Sequence, residues 1–126
     1  KAIIKQLLGI LKYLHTRHIT HRDIKLENIL IDPKTREIKL IDFGFCCHAE
    51  EGVLLRVFCG TPSYMAPEIV NKRDYKGPLT DVWATGVLTY AMLCGAFPFR
   101  GATDKDLYRI ITAGSFRWPD HVQISK

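Results

Sequence analysis

His21-Arg22-Asp23-Ile24-Lys25-Leu26-Glu27-Asn28, residues 21–28, is the stretch whose reading decides the fold. It places an acid, a cation and an amide (Asp23, Lys25 and Asn28) within six residues. Upstream, Ile3, Leu7, Ile10, Leu11 and Leu14 fall on one helical face, which predicts a helix over residues 1 to about 17. Downstream, ENILID and REIKLID are short β-rich runs joined by Asp32-Pro33-Lys34-Thr35-Arg36, the chemistry of a hairpin turn. The stretch is therefore a loop held at both ends by rigid elements, the setting in which reactive side chains concentrate. The hairpin would also return Asp42, the first residue of Asp42-Phe43-Gly44, to the side of Asn28. An amide oxygen beside a carboxylate is a hard-oxygen pair suited to Mg²⁺, with phosphate oxygens completing the shell.

Residues 43–65 show no sustained period and read as an extended loop, an uncommon length for a segment without function. From Phe45 to Gly60 this loop holds no serine, threonine or tyrosine, yet it carries three of the four cysteines. Pro67 suits the first turn of a short helix. Pro78 and Gly95 bracket an apolar stretch, about residues 79–94, expected to be a helix buried nearly all round. Thr103, with Asp104 and Asp106, is expected to cap a last helix stopped near Gly114. The expected fold class is α+β, mainly α, with one β-hairpin in a single unit.

At 47% hydrophobic and 25% charged residues the composition is that of an ordinary globular domain. No apolar run approaches the roughly 20 residues of a membrane span, and the lysine-bearing start reads as an amphipathic helix. The net charge is +5, but Lys and Arg are scattered without the stripe of a nucleic-acid face, so neither nucleic acid nor membrane is expected as a partner. Cys46, Cys47, Cys59 and Cys94 show neither C-x-x-C nor a zinc-ligand spacing, and are expected as free thiols in a reducing, intracellular and cytoplasmic setting. Cys46 and Cys47 read as inert loop residues, and His21 as a packed, hydrogen-bonded histidine.

Four motifs stand in order: HRDIKLEN (21–28), DFG (42–44), CGTPSYMAPE (59–68) and DVWATGV (81–87). Together they resemble the catalytic C-terminal lobe of a eukaryotic protein kinase of the serine/threonine type. LLRVFCGTPSYMAPEI (54–69) and MLCGAFPFRGATDKDLYRII (92–111) are similar to its calcium/calmodulin-dependent, AMP-activated-kinase-like group. The resemblance implies a kinase-like C-terminal lobe with its N-terminal lobe absent, spanning residues 1–126, with a catalytic loop (21–28), a magnesium motif (42–44) and an activation segment (42–68). It implies ATP and Mg²⁺ as cofactors and serine/threonine-bearing proteins as substrates, with basic residues upstream of the acceptor.

By position, the resemblance makes Asp23 the acceptor of the substrate hydroxyl proton and Lys25 the charge facing the transferred phosphate. It makes Asn28 and Asp42 the magnesium ligands, and Thr61 a hydrogen-bonding partner of Asp23 and Lys25. These roles amount to positioning and charge stabilisation, which is most of what phosphoryl transfer asks of a protein. Glu27 matches a position that contacts a basic residue of the substrate. Arg22 resembles the arginine that gathers the activation segment, and Asp81 the buried acid that anchors the catalytic-loop backbone. Trp83 is expected under that loop. Glu68 is expected as an unpaired buried carboxylate, its partner lying further along the family's chain. His21, Phe43 and Gly44 complete the structural set.

The chain lacks an initiating methionine and any G-x-G-x-x-G, so it reads as a fragment without half of the ATP site. The expectation is an active parent kinase and an inactive isolated fragment. The alternatives are a pseudokinase-like scaffold or a truncated product without function. Relatives in the resembled group carry a phosphorylated threonine at the position of Val57. Glu50 or Glu51 is therefore a candidate standing partner for Arg22, against the simpler reading of two solvated loop-tip acids.

Overall fold

Leu7, Leu11 and Leu14, spaced at three and four residues, line the buried face of α1 (Ala2–His15) in the computed structural model, which describes residues 1–122. Each buried leucine contributes about 2 kcal/mol, which outweighs the absence of a side-chain cap at Lys1. His18, in left-handed backbone with φ 59°, turns the chain out of the helix into β1 (Ile19–Thr20). A 3₁₀ turn (Leu26–Asn28) then leads into the hairpin of β2 (Ile29–Ile31) and β3 (Ile38–Leu40). Its register pairs Ile29 with Leu40, Leu30 with Lys39 and Ile31 with Ile38. The turn is set by Asp32, whose Oδ1 accepts the N–H groups of Lys34 (2.7 Å) and Thr35 (3.0 Å).

The segment expected to be a featureless loop contains β4 (Cys47–His48), which pairs antiparallel with β1 as Ile19 with His48 and Thr20 with Cys47. Two residues are too few to show a period, so this second small sheet leaves no mark on the sequence. A 3₁₀ turn (Pro62–Tyr64), α2 (Pro67–Val70), α3 (Gly77–Cys94) and α4 (Asp104–Ala113) follow. Thr103 caps α4 by accepting the Asp106 N–H, and Gly95 and Gly114 end α3 and α4 in left-handed backbone.

The main core joins Leu7 and Leu11 of α1, Val87 and Leu88 of α3, and Leu107 and Ile111 of α4 around Ile24 and Tyr64. A smaller cluster of Ala66, Ile69 and Tyr75 lies beneath the chain around α2. The expectation that α3 is buried nearly all round is corrected. Val87, Leu88, Tyr90 and Ala91 are buried, but Leu79, Val82 and Leu93 are more than half exposed. Those three fall on one stripe of the helix that no described element covers. Among the described residues, no helix is long and apolar enough to cross a membrane.

Candidate active site

Asp81, in the second turn of α3 and 1% exposed, fixes the backbone from which the site is built. Its Oδ2 accepts the His21 N–H (3.0 Å) and its Oδ1 the Arg22 N–H (2.9 Å). A third bond reaches Oδ2 from His15 Nε2 at 2.8 Å; since a carboxylate can only accept, that nitrogen carries the proton. Arg22 is thereby held at φ 66°, a left-handed conformation that a non-glycine residue keeps only where its surroundings over-determine it. His15 was not singled out from the sequence, and nothing in the sequence marks a helix-end histidine as a partner for an acid 66 residues away.

His21 is fully buried. Its Nδ1 accepts the Asp23 N–H (3.2 Å), so Nε2 donates to the Ile41 carbonyl (3.1 Å), and its ring packs edge-on against Phe43 at 4.9 Å. The histidine thus ties the 21–28 loop to the chain entering Asp42. Asp23 itself is 5% exposed. Thr61 Oγ1 donates to Asp23 Oδ1 (3.0 Å) and accepts from Lys25 Nζ (3.0 Å), and Lys25 Nζ lies 3.5 Å from Asp23 Oδ2. Asn28 Nδ2 adds bonds to the Asp23 carbonyl (2.8 Å) and to Oδ2 (3.2 Å). The structure therefore brings Asp23, Lys25, Thr61 and Asn28 into one network, with a carboxylate ready to accept a proton. The adjacent ammonium donates one of its three N–H bonds to Thr61 and also faces the Asp23 carboxylate.

The hairpin returns Asp42 as its length implies: the Ile41 N–H donates to the Asn28 carbonyl at 2.9 Å, just beyond the last registered pair. Asn28 is 4% exposed, and its Oδ1 accepts no protein hydrogen bond among the described residues while not being sealed from solvent. Asp42 is exposed, with φ 59°, and one of its oxygens accepts only the Gly44 N–H (3.2 Å). Two open hard-oxygen donors on adjacent strand ends fit a divalent cation that takes most of its shell from phosphate and water. Among the described residues no group of three or more His, Cys, Asp or Glu could hold a metal by itself.

Arg22 turns its side chain the other way, onto residues 45–57. Nε donates to the Phe45 carbonyl, and Nη1 lies 3.5 Å from the Val57 carbonyl and 3.4 Å from the Tyr75 hydroxyl. Neither Glu50 nor Glu51 meets it. Glu50, 68% exposed, lies 3.5 Å from His18 and 3.9 Å from His48, and Glu51 is exposed. Of the two readings, solvated loop-tip acids fit: the β1–β4 pairing places Glu50 beside two histidines and away from Arg22.

Burial raises the thiols of Cys46, Cys47 and Cys59, so little reactive thiolate forms at neutral pH even with Arg22 nearby. Glu68 is only half-buried and its carboxylate is not sealed from solvent, which corrects the expectation of a desolvated acid. Among the described residues it forms no ion pair. Trp83 stacks on Phe99 (5.7 Å, 10°) and packs against both the Ala66–Ile69–Tyr75 cluster and the main core that includes Ile24 of the 21–28 loop, and its buried Nε1 has no hydrogen-bond partner among the described residues. Glu27 is exposed on the 3₁₀ turn. Tyr64 and Tyr75, which the sequence does not single out, are buried under the site; burial raises both phenols, and the Tyr64 hydroxyl accepts the Leu26 N–H while that of Tyr75 donates to the Val57 carbonyl.

The family profile described as "Protein kinase domain" matches residues 1–126. NUAK family SNF1-like kinase 1 of Homo sapiens is 44% identical over 119 residues, covering 94% of this chain and 18% of that protein. A Serine/threonine-protein kinase SIK3 homolog of Danio rerio is 43% identical over 115 residues, 91% of this chain and 10% of that protein. CBL-interacting protein kinase 10 of Oryza sativa subsp. japonica is 40% identical, covering 94% and 27%. The chain thus spans under a third of the length of each of these curated relatives.

Proposed function

Because the chain belongs to the protein kinase domain family, we propose that its parent protein transfers the γ-phosphoryl group of ATP to serine or threonine hydroxyls of protein substrates. The observation that carries this reading is the Asp23–Thr61–Lys25 network, with its 3.0 Å bonds on either side of one hydroxyl. Asp23 would accept the proton of the attacking hydroxyl as it leaves, and Lys25 would offset negative charge on the transferred group. Thr61 bridges the acid and the cation, which also pair directly at 3.5 Å. Asn28 and Asp42 would hold Mg²⁺, which when bound neutralises phosphate charge. Exposed Glu27 suits a basic residue upstream of the acceptor serine or threonine.

Residues 42–68 would serve as the activation segment, and the unpaired cysteines suit an intracellular, cytoplasmic protein. The 126 residues alone would be inactive, because they offer ATP only the Lys25, Asn28 and Asp42 rim.

The test is phosphate transfer by the full-length protein from Mg²⁺-ATP to serine and threonine peptides bearing upstream arginine. Asp23→Asn removes the proton acceptor and keeps the Thr61 bond; kcat should fall at least about 100-fold with KM for ATP within a few-fold. Equal turnover by the variant, or none by the wild type, would remove this reading.

A further inference from the structure

From Phe45 to Gly60 the chain has no hydroxyl that could carry a phosphate, yet the guanidinium of Arg22 sits against that segment on three neutral acceptors, the Phe45 and Val57 carbonyls and the Tyr75 hydroxyl. The partner that organises them is Tyr75, on the chain between α2 and α3 and 2% exposed. Its hydroxyl donates to the Val57 carbonyl at 2.6 Å and accepts from Arg22 Nη1 at 3.4 Å. Its backbone closes an isolated bridge with Leu55, the Leu55 N–H donating to the Tyr75 carbonyl (2.8 Å) and the Tyr75 N–H to the Leu55 carbonyl (3.1 Å). Arg56 adds an exposed pair to Asp74 at 3.1 Å. Residues 55–57 are therefore stapled to residues 74–75 through backbone and side chain together. The only side-chain hydroxyl in the staple is also the one that touches Arg22.

We propose that Tyr75 is a positioning residue of the kinase reaction. Its hydroxyl bridges Arg22 and the Val57 carbonyl, holding residues 55–57 in register with the Arg22-Asp23 backbone without any phosphate in that segment. This rests on the kinase reading above. The chain of contacts is short. Tyr75 fixes Val57 and the guanidinium of Arg22, Asp81 fixes the Arg22 backbone, and the next residue is Asp23. Thr61, four residues beyond Val57, completes the network from the other side. A segment that drifted from Tyr75 would carry Thr61 away from Asp23 and Lys25, disturbing the reacting groups and leaving the nucleotide-facing Asn28 and Asp42 where they are. The buried phenol stays protonated, as a donor to a carbonyl must.

The experiment uses the full-length protein, its Tyr75→Phe variant, and the same variant carrying Val57→Glu, which returns an acceptor to Arg22. Tyr75→Phe keeps the ring and removes only the hydroxyl. It should lower kcat about tenfold, the scale of one lost charge-assisted hydrogen bond, with KM for ATP changed less than about twofold and Tm nearly constant. Tryptic cleavage after Arg56, whose side chain is 81% exposed, should accelerate to a similar degree. Val57→Glu should recover most of both losses, and phosphatase treatment should leave wild-type activity unchanged. Unchanged kcat and cleavage in Tyr75→Phe would overturn the proposal. So would losses that Val57→Glu does not recover at unchanged Tm, or abolition of wild-type activity by phosphatase. A wild type without activity would remove the kinase reading, and the staple would then stand or fall on the cleavage rates alone.

Discussion

At Asp81 one buried carboxylate accepts from two consecutive backbone N–H groups and from His15, and the conformation of Arg22 depends on all three. Removing the acceptor leaves those donors facing a cavity that water fills poorly, and each orphaned group costs about 1–3 kcal/mol. Asp81→Ala should therefore lower unfolding stability by at least about 3 kcal/mol, read as a drop in urea midpoint at unchanged m. A loss under about 1 kcal/mol would mean that the loop keeps its geometry without the anchor. Asp81→Asn refines the point. Its amide can accept at one position only and must turn an N–H toward His21 or Arg22, so it should recover less than half of the loss. The geometry of the 21–28 loop thus has its origin in a residue outside the Asp23–Thr61–Lys25 network. His15 belongs with it, since its bond to Oδ2 ties the end of α1 to α3 across the same carboxylate.

Between elements, α3 begins in tight contact with β1. A Cβ built on Gly77 would stand 2.3 Å from Thr20 Oγ1 and 2.9 Å from its Cβ and Cγ2. Only glycine lets the first turn of α3 sit there, and that approach delivers Asp81 to the loop following β1. Gly77→Ala should cost about 1–3 kcal/mol through overpacking. Adding Thr20→Ala, which deletes two of the three close atoms, should recover part of it; additive losses in the double variant by urea unfolding would show that the contact is not the cause. The sequence does not mark Gly77, because the crowding comes from a strand 57 residues away. The same limit explains what else the sequence hid. Periodicity marked α1, turn chemistry the hairpin and capping residues α4, while β4 has two residues and owes its place to pairing with Ile19 and Thr20. Motif spacing gathered Asp23, Lys25, Asn28 and Asp42 into one loop-and-hairpin unit. His15 and Tyr75 stayed illegible because their partners lie 66 and 53 residues away. Charge alone left Glu50 open between two readings, because its histidine neighbours are fixed only by the strand register.

In the molecule as a whole, Lys25, Asn28 and Asp42 would form the rim that meets nucleotide and metal. None of the 126 residues forms a glycine-rich loop over the phosphates. Phosphoryl transfer depends on holding nucleotide and acceptor in line, and positioning of that kind is worth roughly 7–11 kcal/mol where it is complete. A rim that grips ATP from one side leaves the γ-phosphoryl free to swing, so nearly all of that contribution is lost while Asp23, Lys25 and Thr61 remain assembled. The isolated 126-residue chain should accordingly turn over Mg²⁺-ATP at least about 10⁵-fold more slowly than the full-length protein on the same peptide. The measurement is single-turnover transfer of labelled phosphate by pure chain, with Asp23→Asn as the blank. Signal above that blank within 10³-fold of the full-length rate would mean that the rim alone positions ATP, and that the Asp23–Thr61–Lys25 network is a sufficient catalytic unit.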